Sequence, residues 1–255
     1  MQSDRSDGLT HCVPLGNLCD PQRGITYGIV QPGAHVDGGV PILRASEIQN
    51  GRISTSDLLH VASDVEALYQ RSRLRGGEVL LTLVGAYFGK AAVADTRHAG
   101  MNTARAVGVL PVIREPWFVA YALMSHGCQA FIKERATTTA QPTLNLRDVA
   151  NIPIPWPSSA QRHVATQMLR QIDRRIELLG ETNATLESIA QAQFKSWFID
   201  FDPVRAKAEG REPEGMDAAT AALFPSEFEE SALGLIPKGW TVRSLDSFEI
   251  GRAHV

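Results

Sequence analysis

Between Thr137 and Gln161 the chain reads TTTAQPTLNLRDVANIPIPWPSSAQ, which gathers hydroxyls, amides, a carboxylate and a tryptophan into one short span. Such a set is the raw material of general acid–base or nucleophilic chemistry. A second candidate, GAYFGKAA from Gly85 to Ala92, approaches a phosphate-binding loop. That loop needs four residues between its glycines and a hydroxyl after its lysine to hold magnesium, whereas three residues separate Gly85 from Gly89 and Ala91 follows Lys90. The spacing argues against a nucleotide site. The seven histidines are scattered, with no pair at the four-residue helical spacing of a metal site. His98 with Asp95, and His126 with Cys128, fit surface and core positions better than catalytic dyads. Cys12, Cys19 and Cys128 form no CxxC, so three reduced thiols are expected rather than a disulfide or zinc site. No catalytic and no metal-ligating residue is assigned.

NIPIPW, from Asn151 to Trp156, has the ingredients of the Asn-Pro-Pro-aromatic signature with which amino-group DNA methyltransferases hold a flipped base. Ile152 separates the asparagine from its proline and Ile154 separates the prolines, and no glycine-rich cofactor loop accompanies them. An edge strand, where proline costs no ladder donor, explains the pattern better. The neighbouring polar residues read as helix punctuation. Asn145 and Asp148 cap a single turn at LRDV, and Ser158 with Gln161 forms a capping box ahead of a long helix. Much of the chemical look of 137–161 is therefore architecture.

The elements around it are those of a mixed fold. From about Leu15 to Pro157, short apolar runs alternate with Gly, Pro and Asn, which predicts many strands. Asn50-Gly51 marks a tight turn, EVLLTLVGAYFGKAAVA predicts two buried strands joined through glycines, and RAVGVLPVI predicts another. Large residues at helical intervals from Trp117 to Ala136 predict one or two helices broken near Gly127. From Ser158 to about Phe198 there is no proline, and Ala165, Leu169, Ile172, Ile176, Leu179, Asn183, Leu186, Ala190, Gln193 and Trp197 recur by fours and threes. That is a heptad seam, and a rod of roughly 60 Å needs a second long helix to cover it. The fold class is α+β: a mostly-β domain followed by a long coiled-coil-type helix.

Composition sets the remaining bounds. The 255 residues are 44% hydrophobic and 21% charged, and 25 Lys and Arg against 28 Asp and Glu leave a net charge of −3. A nucleic-acid-coating protein would be basic overall; a local groove is still compatible with this balance. MQSDRSDGLT is not a signal peptide, and no apolar run approaches the ~18 residues of a membrane span, so a cytoplasmic protein without membrane contact is expected. Beyond the helix, 201–239 is polar and proline-punctuated, a linker with a short helix near Ala218 to Leu223. TVRSLDSF then echoes CVPLGNLC near the start, as if a repeat of the first domain began at about Trp240. IGRAHV, Ile250 to Val255, is one reading frame of a common sequencing-adapter string. Those residues are expected to be non-native and the gene to continue into a second domain.

The run from Thr137 to Val204 resembles type I restriction-modification specificity subunits. That family carries a G/T-x-x-Q-P-x-L element, an I-P-x-P strand, a following Gln, and a helix ending in A-L-F-K-S-W-F-x-D-F. These stand here as Thr138 to Leu144, Ile152 to Pro155, Gln161, and Ala192 to Phe201, with Gln193 in place of Leu. PILRASEIQNGRI and RGGEVLLTLVGAYFGKAAV match more loosely, as they must where targets differ. The resemblance implies a target recognition domain at 1–157, a conserved spacer helix at 158–200 and a truncated second recognition domain at 240–249, set around the linker at 201–239 and ahead of the adapter-like tail at 250–255. It further implies a non-catalytic reader of one half of a split double-stranded DNA target, scaffolding methyltransferase and restriction subunits. S-adenosylmethionine, ATP and Mg2+ would be used by those partners and none bound by this chain. With one domain and one helix, the chain would either homodimerise through the helix or be an unstable fragment.

Base and phosphate contacts favour Arg, Lys, Asn and Gln. Arg44, Arg52, Lys90, Arg105, Lys133, Arg135 and Gln141 lie in or near predicted turns and are the candidate DNA contacts; Arg71, Arg73 and Arg75 add an alternating trio. Leu169, Ile172, Ile176, Leu179, Asn183, Leu186, Ala190 and Trp197 are the candidate partner seam. Two other classes stay open: a coiled-coil adaptor with no DNA role, and a single-chain methyltransferase or nuclease.

Overall fold

The structure is a computed structural model that describes residues 11–49, 51–136 and 142–244. Its internal contacts divide the chain into two units, Met1–Arg174 and Arg175–Val255.

In the first unit, β1 (Cys12–Pro14) runs into a three-ten turn at Leu15–Leu18 that buries both leucines. After β2 (Thr26–Tyr27), the backbone at Gly28 passes so close to Thr103 that a Cβ would lie 1.8 Å from its carbonyl oxygen. Only glycine fits there. β3 (Val40–Leu43) is followed by a hairpin of β4 (Ile48–Gln49) and β5 (Arg52–Ile53), in which Gln49 pairs with Arg52. Gly51 supplies the positive φ, +77°, that a two-residue turn requires; Asn50 lies outside the described residues. β6 (Leu59–Val61) leads to α1 (Ser63–Ala67).

β7 (Val79–Thr82) and β8 (Ala91–Val93) are buried along their whole length, as uninterrupted apolar and β-branched runs predict. β9 (Asn102–Thr103) and β10 (Val107–Leu110) complete two sheets. One has the order β2-β10-β7-β8 and is antiparallel throughout; the other has the order β6-β3-β9, with β3 and β9 parallel. α2 (Pro116–Leu123) and α3 (His126–Arg135) cover the first sheet, so Val79, Leu81, Val119, Leu123 and Ile132 share one core. The helical stretch does divide, but ahead of Gly127: Ser125 caps α3, its hydroxyl accepting from the Cys128 amide at 3.5 Å.

α4 (Leu146–Ala150) starts on Asn145, whose side chain accepts from the Asp148 amide at 2.9 Å. β11 (Pro153–Pro155) pairs with β1 alone, an edge position that tolerates both prolines. The capping box then forms. Ser158 N–H donates to Gln161 Oε1 at 3.1 Å, Gln161 N–H donates to Ser158 Oγ at 3.4 Å, and α5 (Ser159–Phe194) begins. Its 36 residues rise about 54 Å.

In the second unit, α5 gives way to a π-type turn at Lys195–Ile199, and Phe201, at φ +54°, ends the run. The segment 201–239, expected as a linker, carries α6 (Asp202–Ala208), α7 (Ala218–Ala222) and a hairpin of β12 (Phe228–Ser231) and β13 (Gly234–Pro237). Aromatic packing is the reason. Phe198 stacks on Trp240 at 6.1 Å, and Phe224 meets Trp197 edge-on at 6.0 Å. A few well-spaced rings anchor a stretch whose average composition is polar. α7 occupies the short helical stretch expected at Ala218 to Leu223. Residues 241–244 form no regular element, and 245–255, including the adapter-like hexapeptide, lie outside the described residues.

Candidate nucleic-acid interface

The structure distributes the seven sequence-derived cations and amides over several elements. Arg44 is held within its own loop: its Nη2 donates to Glu47 Oε1 at 2.9 Å and to the Asp57 carbonyl at 3.0 Å. Burial pushes the Glu47 carboxyl up, but hydrogen bonds from Arg44 and Ser46 outweigh it and hold the group below the ordinary carboxylate range. Arg44 is thus engaged in bracing its own loop. Arg52 faces α5, with Nη2 3.5 Å from the Asp173 carbonyl. Lys90 lies over the exposed Tyr87 ring, 4.9 Å from its centroid. Lys133 and Arg135 are exposed on the last turn of α3, where Arg135 lies 5.2 Å from the Phe131 ring. Gln141 lies outside the described residues, as do Thr137 to Ala140. Arg105 is exposed between β9 and β10 and lines a cleft with Tyr27, Val84, Thr143 and Asn145. No hydrogen bond or ring contact joins any two of these six cations among the described residues.

A stronger cationic feature lies elsewhere. Arg71, Arg73 and Arg75 line one cleft with Arg23, Gln22 and Gln70 and a single carboxylate, Asp20. The alternating trio was legible as a cluster; Arg23 carries no local signal, since its partners are 48 to 55 residues away. Two buried carboxylates organise the cleft. Glu78, whose side chain is 3% exposed, pairs with Arg23 and accepts the backbone amides of Arg75 and Gly76 at 2.8 and 2.9 Å. Glu66 pairs with Arg73 and accepts from Asn102 Nδ2 at 2.9 Å. The Arg73 guanidinium, working against burial, holds Glu66 below the usual carboxylate range.

The paired polar groups considered for catalysis have local partners. The Asp95 side chain accepts from the Arg97 amide at 2.9 Å while His98 Nδ1 accepts from the Asp95 amide at 3.2 Å, a capping box on a three-ten turn. Cys128 is buried, with its Sγ 3.4 Å from the Pro153 carbonyl. Among the described residues no three His, Cys, Asp or Glu side chains converge as a metal site, and no helix is long and apolar enough to cross a membrane.

The seam of α5 is uncovered. Leu169, Ile172, Ile176, Leu179 and Leu186 are between 40% and 58% exposed, and Asn183 and Ala190 are exposed among them. Trp197 lies in the π-type turn and packs against Phe224. Before Arg174 the helix is bolted to its own domain. Arg162 makes a two-pronged pair with Glu115, Nε to Oε2 at 2.7 Å and Nη2 to Oε1 at 2.9 Å, and lies 4.2 Å from the Trp156 ring. Arg170 sits 4.5 Å from the Trp117 ring, and the Tyr121 hydroxyl donates to Asp173 Oδ2 at 2.5 Å. Burial and the Asp173 carboxylate push that phenol well up.

The model of the type I restriction modification DNA specificity domain matches residues 34–188, across the mixed domain and into α5. The chain is 27% identical over 234 residues to the type I restriction enzyme EcoBI specificity subunit of Escherichia coli, covering 86% of this chain and 48% of that protein. It is 29% identical over 170 residues to the HindI specificity subunit of Haemophilus influenzae, covering 51% of this chain and 37% of that one. It thus spans half or less of the length of these relatives. A crystal structure of the HsdS subunit from Thermoanaerobacter tengcongensis aligns with a TM-score of 0.48 at 18% identity, over 81% of this chain and 50% of that one.

Proposed function

The chain belongs to the type I restriction modification DNA specificity family, and from that premise we propose that it reads one half of a bipartite DNA target without catalysing a reaction itself. In this reading the mixed domain, with its exposed cations and clefts, meets the duplex, and α5 presents its seam to a second long helix. Methyltransferase and restriction subunits assemble on that frame. S-adenosylmethionine, ATP and Mg2+ belong to those partners, and the work takes place in the cytoplasm, where the DNA is. The observation that carries the proposal is the family match running from the mixed domain into a helix whose apolar seam is about half exposed. A stripe of that length on a single helix needs a cover.

The exposed seam also favours a second arrangement, in which another copy of this chain supplies the covering helix and the target is a symmetric split sequence. Methylation-site sequencing in a host carrying this gene with a type I methyltransferase subunit tests both. An asymmetric discontinuous target supports the first arrangement and a symmetric one the second. Methylation or cleavage by the purified chain alone, or DNA binding without salt dependence and sequence preference, overturns the reading.

A further inference from the structure

Resting on that DNA-reading function, we propose that Arg71 and Arg75 are the phosphate-gripping cations of a continuous groove that leads along the first unit to Tyr27 and Arg105. Continuity comes from shared walls. Gln70 and Arg71 line both the arginine cleft and a neighbouring hollow against Thr26, Tyr27 and Leu68. Tyr27 in turn lines both that hollow and the cleft holding Arg105, Thr143 and Asn145. The three concavities thus adjoin in series, each sharing a lining residue with the next.

The cations along it divide into two kinds. Arg23 and Arg73 are committed to the buried carboxylates of Glu78 and Glu66, and Arg23 Nη2 also donates to the Arg73 carbonyl at 2.6 Å. Arg71, Arg75 and Arg105 make no ion pair among the described residues; Arg71 donates only to the Arg23 carbonyl, at 3.2 Å. The committed pair builds a stiff wall, and the exposed ones project from it with their charge unspent. Glu78 fixes the backbone that carries Arg75 by accepting its amide at 2.8 Å.

A track of open guanidiniums spaced along a groove suits a repeating anion better than a single small one, because each cation can meet a successive phosphate. The two ends differ in chemistry. Around Arg71 and Arg75 the wall offers chiefly charge. At the other end Tyr27, 42% exposed, stands beside Arg105 and Asn145, types that contact base edges as well as phosphates. The arginine end sets grip and register, and the Tyr27–Arg105 end is where sequence is sensed.

The test is duplex binding by the chain over a salt series, with a target and a scrambled 30-base-pair duplex. For R71A/R75A the slope of log affinity against log salt should fall by about 1.8, at about 0.9 per phosphate. The loss should be equal on both duplexes, and R71K/R75K should restore the slope. R211A, in the second unit, should match wild type. Neither Arg71 nor Arg75 holds an ion pair, and a thermal melt equal to wild type confirms that the double variant is folded. A slope unchanged in R71A/R75A, where wild type does bind DNA, overturns this assignment alone, as does a loss confined to the target duplex. Absence of salt-dependent binding by wild type overturns the DNA-reading function and the groove with it.

Discussion

Arg162→Ala should cost the first unit about 2–3 kcal/mol, more than an ordinary surface cation. Arg162 is only 6% exposed although it opens a helix that is otherwise mostly solvated. Each charge-assisted bond to Glu115 contributes about 1 kcal/mol, discounted because the Glu115 side chain stays 38% exposed. The guanidinium 4.2 Å from the Trp156 ring adds roughly another 1 kcal/mol. The Pro157 carbonyl also loses its donor. Arg162→Lys keeps the charge but loses the fork, and should fall about halfway.

The same pair has a definite pH signature. Hydrogen bonding from Arg162, against partial burial, holds the Glu115 carboxyl below its ordinary range. A carboxyl depressed in the folded state contributes stability that is complete above the unfolded value, about 4.3, and is lost as pH falls through the folded value. Urea unfolding followed by circular dichroism and tryptophan fluorescence should show a constant gap between wild type and R162A from about pH 6 to 8. The gap should narrow below about pH 4. A loss under about 0.5 kcal/mol, or a gap equally wide at about pH 3 and pH 7, would refute the account of this contact.

Gly28→Ala should destabilise by more than about 3 kcal/mol, since its Cβ would meet backbone rather than a movable side chain; thermal melting reads this directly. Burial pushes the Cys19 thiol up to about 12 and raises that of Cys128. A thiol reagent at about pH 8 should therefore modify Cys12 in the native protein and the other two only after unfolding. Leu179→Asp with Leu186→Asp should leave the far-ultraviolet circular dichroism unchanged, because both are exposed in the single chain, while sedimentation velocity shows loss of association through α5.

What was legible in the residues is what is local. The Ser158–Gln161 box, the Asn145 cap, the Gly51 turn and the proline-bearing edge strand each depend on partners a few positions apart or on a backbone preference of one residue. The heptad seam was legible because its period is written along one element. The arginine cleft was only half legible. Arg71, Arg73 and Arg75 announce themselves by alternation, but Arg23 reaches them across about fifty positions, and nothing near it marks the approach. Arg44 shows the converse: a cation beside a turn looks unpaired until Glu47, three residues on, is found buried and paired with it. The segment 201–239 hid its order because rings at Phe224, Phe228 and Trp240 are too far apart to give a periodic signal.

The two-stranded ladder of β1 and β11 bears on the order in which the chain folds. Its register, Cys12 against Pro155 and Pro14 against Pro153, joins positions roughly 140 residues apart, a closure whose entropy is recovered only once the intervening sheets have drawn the ends together. The ladder is therefore expected among the last contacts to form. Since β11 runs straight into the Ser158 cap, the start of α5 takes its bearing from a domain that is already complete. Any chain whose central sheets are unfinished therefore leaves the start of its helix without a fixed direction.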